Sequence, residues 1–168
     1  TIDGFELEMT SNIGDDWTLS AGLTLLDSAY GEFLNTDALQ GDAGVLQNKG
    51  NPLNKTPEQS LNVGIVRNMT FDSGANLALS LNTAYRSRTY FREFGQIDDS
   101  QAAYTVVNFN ANFETADELF TTRFFVTNAT NEAYVTDLST GDSQYGRHVS
   151  WGMPRHVGIE LTRHFGTR

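Results

Sequence analysis

Apolar and polar side chains alternate along seven separate stretches of this chain. In the stretch 154–165, Val157, Ile159 and Leu161 share one parity, and the residues between them are glycine or charged. Successive side chains of a β-strand point to opposite faces, so this alternation predicts a strand with one apolar and one polar face. The pattern predicts strands at residues 2–11, 17–30, 57–67, 75–91, 103–114, 119–128 and 154–165.

The connections between these predicted strands alternate in length. Those after the first, third and fifth strands are short, whereas those after the second, fourth and sixth are longer. No helical period persists between the strands, so neighbouring strands are expected to pair as an antiparallel meander. Alternating short turns and long loops are typical of an outer-membrane β-barrel, with the short turns on the periplasmic side and the long loops outside.

The composition is compatible with a membrane β-barrel and argues against several other classes. The chain has 168 residues, no Cys and a formal net charge of −10. The absence of Cys excludes a disulfide framework and a thiolate metal site, and the negative charge argues against nucleic-acid binding. The hydrophobic fraction is only 39%, but a barrel strand needs apolar residues at alternate positions only.

Aromatic residues recur near the ends of the predicted strands, where a membrane barrel carries aromatic girdles. They are Trp17, Phe113, Phe120 and Phe165 at the short-turn ends, and Phe5, Tyr30, Tyr85, Tyr104, Tyr134 and Trp151 at or near the long-loop ends. The polar parity of the fifth strand carries Asn108, Asn110, Asn112 and Glu114. Such a row would be costly in a sealed core and suits a water-filled lumen.

Several segments resemble those of TonB-dependent outer-membrane receptors. F-F-V-T-N-A-T-N-E-A-Y at 124–134 resembles the F-V-x-N-L-T-(D/N)-x-x-Y segment near the end of that family, and 152–165 resembles its closing strand, G-x-P-R-x-x-G-(V/I)-x-L-x-x-x-F. N-K-T-P at 54–57 and Y-T-V-V-N at 104–108 are similar to the starts of two earlier barrel strands. The motif residues carried over are Asn128, Tyr134, Pro154, Arg155 and Phe165.

The resemblance implies an all-β fold, an antiparallel transmembrane β-barrel meander. Residues 1–168 would supply about seven strands at the C-terminal end of a larger barrel, without the plug and the N-terminal strands. The implied place is the outer membrane of a Gram-negative bacterium. The implied function is import of a scarce nutrient, such as a siderophore, cobalamin or an oligosaccharide, with energy delivered by TonB. The family often ends on its closing aromatic residue, whereas Gly166, Thr167 and Arg168 follow Phe165 here.

The partners implied are the lipid and lipopolysaccharide of the outer membrane, the remainder of the receptor including its plug, and a small-molecule ligand. The TonB complex would act through the N-terminal part of the receptor, which this sequence does not contain. No nucleic acid is expected.

Basic and aromatic side chains collect near the outer end of the fourth strand and in the last long loop. They are Arg86, Arg88, Tyr90 and Arg92 on the polar parity of that strand, and Arg147 and His148 in the loop. Planar guanidinium groups bind carboxylates and phosphates, so these residues are candidates for contact with an anionic or hydroxyl-rich ligand. Alternatively, the arginines pair with acidic loop residues such as Asp98 and Asp99, or with lipopolysaccharide phosphates.

The chain shows no catalytic or metal-binding constellation. Ser, His and Asp occur outside any nucleophile motif, so we expect no enzyme. His156 and His164 would lie about 26 Å apart along one strand, too far to share an ion. The spacing of the loop acids matches no calcium loop, and neither a metal nor a cofactor is expected. These acids are Asp37, Asp42, Asp137 and Asp142.

Two alternative folds remain open at this point. A soluble β-sandwich, such as a carbohydrate-binding module, would bury the apolar parity between two sheets and would need no aromatic girdle. A different outer-membrane barrel, such as a pore, would need an even number of strands and a first strand that closes on the last.

Overall fold

Seven long strands form one antiparallel sheet in the computed structural model, which describes residues 1–40, 44–140 and 146–165. The strands are β1 (Ile2–Ile13), β2 (Trp17–Ser28), β5 (Gln59–Thr70), β6 (Asn76–Arg86), β9 (Tyr104–Glu114), β10 (Phe120–Thr127) and β13 (His156–Arg163). Their order across the sheet is the order along the chain, so the predicted antiparallel meander is confirmed.

Each long connection carries a small two-stranded hairpin, which the sequence pattern did not predict. The hairpin strands are β3 (Leu34–Thr36) with β4 (Val45–Gln47), β7 (Thr89–Tyr90) with β8 (Ser100–Gln101), and β11 (Val135–Thr140) with β12 (Arg147–Trp151). A single 3₁₀ turn, Ile97–Asp99, precedes β8. All three hairpins lie at the same end of the sheet, because every long connection joins strands at that end.

The opposite end of the sheet carries the short connections, residues 14–16, 71–75 and 115–119. Gly14 and Gly74 have φ angles of +63° and +87°, a left-handed conformation that glycine adopts without steric cost. The predicted alternation between short turns and long loops is therefore present in the structure.

The register places the apolar side chains of neighbouring strands in continuous rows on one face. One such row runs Leu19, Ile65, Leu81 and Phe109. The adjacent positions form a polar row on the opposite face, Ser20, Gly64, Asn82 and Asn108. A shift of one residue in any pairing would exchange the two faces, so the alternation in sequence fixes the register.

Burial in this protein is the reverse of that in a water-soluble domain. Large apolar side chains of the sheet are exposed, including Ile159 at 74% and Leu161 at 68%. The buried polar residues are Asp37, Asn48, Arg92, Asp99 and Asn128, whereas the buried hydrophobic ones are Ala75, Phe91 and Leu138. Within the described ranges no second sheet packs against the apolar face, so the β-sandwich interpretation is wrong.

The sheet is open at both edges. Among the described residues, β1 pairs only with β2 and β13 pairs only with β10. An unpaired edge presents a row of free N–H and C=O groups, which a barrel satisfies by closure. Residues 1–40, 44–140 and 146–165 contain no helix with the length and apolar character required to cross a bilayer.

The predicted strand boundaries differ from the observed ones by up to five residues, and two of these differences have an identifiable cause. The fourth strand ends at Arg86 instead of reaching residue 91, because the Ser87 hydroxyl accepts the Gln59 N–H at 3.0 Å and the chain then turns away. The last strand begins at His156 instead of Pro154, because β10 ends at Thr127 and offers no partner before His156. Pro154 also lacks the N–H that a paired strand residue would donate.

Leu81 and Asn82 are adjacent in β6 but lie on opposite faces, which gives a matched test of the apolar face. Leu81→Arg should destabilise the complete protein in lipid bilayers by about 2–4 kcal/mol, because the charge would face hydrocarbon in the middle of the sheet. Asn82→Arg should cost much less, since its side chain faces the polar side. Urea unfolding in lipid vesicles measures both, and equal losses of stability would contradict the assignment of faces.

Candidate functional site

The polar face of the sheet contains a recess of about 480 Å³. Side chains of five strands line it, including Glu8, Ser20, Asn62, Asn82 and Asn108. Carboxylate, hydroxyl and amide groups offer both donors and acceptors, and the rows continue toward the end that carries the long loops. The recess is therefore suited to contact with water or a polar partner, and the water-filled lumen beside the asparagine row of β9 stays a prediction.

Above the sheet, one ion cluster joins all three long connections. We call it the loop cluster; its members are Asp37, Arg92, Asp99 and Arg147. Arg92 donates from Nη1 to Asp99 Oδ2 at 2.7 Å and from Nη2 to Asp37 Oδ1. Arg147 donates from Nε to the other oxygen of Asp99. Two acidic and two basic side chains thus meet with no net charge.

The centre of the loop cluster is shielded from solvent. Asp37 and Asp99 are fully buried, and the side chain of Arg92 is 8% exposed. Burial would raise the pKa of Asp37, but hydrogen bonds from Arg92 and from the Leu39 N–H outweigh it and hold that pKa below its ordinary value. Burial likewise opposes the charge of Arg92, yet the two carboxylates raise its pKa. Asp37 and Arg92 therefore stay charged at neutral pH, because the charge of each is compensated by a direct partner.

Polar contacts around the loop cluster extend it into the first and second loops. Asn51 donates to the Glu93 carbonyl at 2.8 Å, and Gln96 donates to Asp37 Oδ2 at 3.4 Å. The Arg92 guanidinium also lies 4.7 Å from the centre of the Phe94 ring. Polar side chains therefore do in these loops what an apolar core does in a soluble domain.

The structure separates the predicted ligand candidates into two groups. Arg92 and Arg147 both bind Asp99, so for Arg92 the structure supports the alternative interpretation, pairing with a loop acid. Arg86 and Arg88 lie outside the loop cluster. Arg86 lies opposite Tyr104 in the β6–β9 register, and Arg88 Nη1 donates to Ser100 Oγ at 2.8 Å.

The other two candidates lie on separate hairpins. Tyr90 is in β7, where its backbone carbonyl accepts the Lys55 N–H at 2.7 Å. His148 is exposed on β12, opposite Ser139. Asp37 was not predicted as a partner of Arg92, since the two are far apart in sequence and no local pattern links them.

Asn128 is the central residue of the predicted family motif. It is buried and has a φ angle of +48°, a conformation that Asn tolerates. Its amide donates to the carbonyls of Glu132 and Met153, at 2.8 and 3.0 Å, while its oxygen accepts the Glu132 N–H at 2.8 Å. The side chain thereby fixes both ends of the last loop, residues 128–155.

The other motif residues surround this connection. Arg155 donates its backbone N–H to Asn131 Oδ1 at 3.0 Å, and exposed Pro154 lies just before β13. Phe165 follows β13 and is 81% exposed. The residues after Phe165 lie outside the described part of the chain.

Tyr134 stacks on Tyr104 with ring centres 4.5 Å apart. A Cβ atom at Gly152 would lie 2.2 Å from the Tyr134 ring, so the stack requires glycine there. Tyr104 pairs with Arg86 and therefore has the parity of the polar face, which corrects its assignment to the outward girdle.

No group of three or more His, Asp or Glu side chains within the described ranges could hold a metal ion. Asp137 binds Lys55 at 2.9 Å, and the His164 ring contacts Thr121 Oγ1 at 3.1 Å. Asp42 and Asp142 lie outside the described residues.

Comparison with known proteins gives one family and a set of structural neighbours. The family model described as TonB dependent receptor-like, beta-barrel, matches residues 1–129. No curated protein matches the sequence significantly. Three similar crystal structures each align with 95% of this chain, and at their low identities they show the fold alone.

These structures are all named as receptors. The ferric yersiniabactin uptake receptor FyuA from Yersinia pestis has a TM-score of 0.77 and 17% identity, with 23% of its chain covered. The siderophore receptor PiuA from Acinetobacter baumannii has a TM-score of 0.74 and 17% identity, with 21% covered. The ferric preacinetobactin receptor BauA from the same species has a TM-score of 0.70 and 21% identity, with 21% covered. This chain thus spans about a fifth to a quarter of the length of these receptors.

Asp98 and Asp99 are neighbours in the 3₁₀ turn, but only Asp99 is buried in the loop cluster. Asp99→Asn should cost about 3 kcal/mol of local stability, because it removes one of the two carboxylates that compensate buried Arg92 and the anionic partner of the partly exposed Arg147. Hydrogen exchange and limited proteolysis of residues 87–103 in the complete protein should show this as lost protection. Asp98→Asn should leave protection unchanged, and equal effects of the two variants would contradict the role of Asp99.

The lowered pKa of Asp37 predicts how the loops respond to acid. A carboxylate with a depressed folded-state pKa stabilises the fold above its ordinary value of 3.8, and this contribution is lost only as the pH falls through the lower, folded-state pKa. Exchange protection of the first loop should therefore persist from pH 7 to about pH 4 and fall below that. Asp37→Asn should remove this acid transition. Loss of protection between pH 6 and pH 5 would contradict the prediction.

Proposed function

Because this chain belongs to the TonB dependent receptor-like β-barrel family, we propose that it forms part of an outer-membrane receptor that imports a scarce nutrient. The family is one of transport receptors, and its match over residues 1–129 is the observation that carries the proposal. The exposed apolar face and the alternating turn and loop lengths support placement in the outer membrane.

Within that receptor, residues 1–168 are proposed to be the C-terminal segment of the barrel. The chain covers 21–23% of the three receptors named above, and its sheet is open at both edges within the described residues. Further strands from the rest of the receptor would pair with β1 and β13, and a plug would occupy the lumen against the polar face. The recess and its asparagine row offer hydrogen bonds to such a plug.

The substrate class we propose is a ferric siderophore or a similar metal chelate. The structural neighbours are named for ferric yersiniabactin uptake, for siderophore binding and for ferric preacinetobactin, which supports this class over cobalamin or an oligosaccharide. Energy would come from the TonB complex, acting through the N-terminal part of the receptor.

The residues proposed to contact the ligand are those on the lumen side of the loops. Arg86 and Arg88 follow the polar parity of β6 and lie beside neutral side chains, so their charge is available to an anionic chelate. Tyr90 and His148 offer further polar contacts from the two neighbouring hairpins. Arg92 and Arg147 would hold the loops in place through Asp99.

Uptake by whole cells tests both the function and the contact. Deleting the gene should abolish growth on at least one ferric chelate as sole iron source, and inactivating TonB should have the same effect. Arg88→Ala in the complete receptor should weaken ligand binding about ten-fold or more, because it removes a charged hydrogen-bond donor. Lys49→Ala is the matched control, since Lys49 pairs with Glu32 on the loop surface at 3.3 Å.

The possible outcomes distinguish between the ligand contact, the substrate class and the transport function. Unchanged binding and uptake in Arg88→Ala would exclude a ligand role for that residue and leave the transport function intact. A deletion strain that grows normally on ferric chelates but fails on cobalamin or an oligosaccharide would change the substrate class. TonB-independent uptake would overturn the proposed function.

A further inference from the structure

The apolar face of the sheet carries very few charges, and they are sorted by sign. In the seven long strands, all of them described, the charged residues on the apolar parity are Asp3, Asp27, Arg67 and Arg163. The two acids occupy opposite register positions at the long-loop end of β1 and β2. Both arginines lie toward the short-turn end, which would face the periplasm.

Each of these two arginines, called here the rim arginines, lies over an aromatic ring. The guanidinium carbon of Arg67 is 5.1 Å from the Trp17 ring centre. That of Arg163 is 5.7 Å from the Phe120 ring centre and 4.8 Å from that of Phe165. Stacking of this kind uses the face of the guanidinium and leaves its in-plane N–H groups directed elsewhere.

Within the part of the chain that the structure describes, those N–H groups meet no anion. Among the described residues, neither rim arginine forms an ion pair, and the buried Nε of Arg67 has no hydrogen-bond partner. Arg123 provides the contrast: it lies 5.1 Å from the Phe125 ring centre on the polar face, but it donates to Asn110 Oδ1 and pairs with Glu160 at 3.9 Å. Stacking alone therefore does not explain why the rim arginines lack a partner.

The depth of the rim arginines matches that of lipid headgroups. Arg163 is the last residue of β13, and Arg67 is three residues from the end of β5. At about 3.3 Å per residue and a tilt near 45°, Arg67 lies roughly 7 Å inside the edge of the sheet. At that depth a charge on the lipid face costs little, and a long side chain reaches the interface.

We propose that the rim arginines bind the headgroup phosphates of phospholipids in the periplasmic leaflet, with Trp17, Phe120 and Phe165 packed against the lipid. A guanidinium fork matches two phosphate oxygens, and the aromatic rings fill the boundary between headgroup and acyl chain. The inference rests on the membrane placement proposed above and is independent of the transported substrate.

Native mass spectrometry of the complete detergent-purified receptor, titrated with phosphatidylglycerol, tests this proposal. Arg67→Gln and Arg163→Gln should each weaken binding of one lipid about five-fold, the effect of one basic residue at an anionic surface. Arg123→Gln should bind lipid as the unmodified receptor does. A galactosyl diacylglycerol without phosphate should not distinguish these variants, and inorganic phosphate alone should not bind.

Arg67→Lys keeps the positive charge but loses the planar guanidinium with its two parallel N–H donors, so it should bind the lipid with intermediate strength. This variant replaces Arg67→Gln in the experiment if Arg67→Gln fails to fold. Wild-type lipid binding in the folded double variant Arg67→Gln/Arg163→Gln would overturn the proposal, as would an equal loss in Arg123→Gln. If the arginine variants also lost binding of the galactolipid, to the same extent as binding of phosphatidylglycerol, the proposal would be overturned too. Whole-cell uptake by the unmodified receptor is the separate readout: absent uptake together with arginine-dependent lipid binding would count against the transport function only.

Discussion

Backbone hydrogen bonding between neighbouring strands is the constraint on which this structure depends. A strand that crosses hydrocarbon has to find partners for its N–H and C=O groups in neighbouring strands, and only a closed sheet leaves none unpaired. The seven strands pair with one another in regular antiparallel register without a slip, and within the described residues only the outer edges of β1 and β13 stay unpaired. The apolar rows stay uncovered by protein. In the outer-membrane placement proposed above, lipid would replace the core that a soluble domain builds.

The long loops are stabilised differently from the sheet, because they contain few buried apolar side chains. Phe91 and Leu138 are buried there, but the centre of the loops is ionic. Each buried charge of Arg92, Asp37 and Asp99 is compensated by a direct partner. Asn128 fixes the last loop in a similar way, by meeting backbone groups that have no strand partner. Compensated charges and satisfied hydrogen bonds thus stabilise the loops in place of a hydrophobic core.

The sheet could be predicted from the sequence, because a period of two is a local property and survives in every strand. The polar row at Asn108, Asn110 and Asn112, the seven strands and the turn lengths all follow from it. The three loop hairpins could not be predicted, since they are short and their pairing depends on contacts between loops. The salt bridge from Asp37 to Arg92 is of the same kind. For Arg92 and Asp99, only seven positions apart, pairing was one of the alternatives that the sequence left open.

The loop cluster also bears on how the outer end of this protein can move. Asp37, Arg92, Asp99 and Arg147 come from three different connections and share two carboxylates, so no one of these loops can swing outward without breaking a buried ion pair. The shared carboxylates therefore couple the three connections to one another. In the proposed receptor, a ligand that arrives from outside would meet loop segments already joined by these ion pairs, so binding there would require little further ordering of Asp37, Arg92, Asp99 and Arg147.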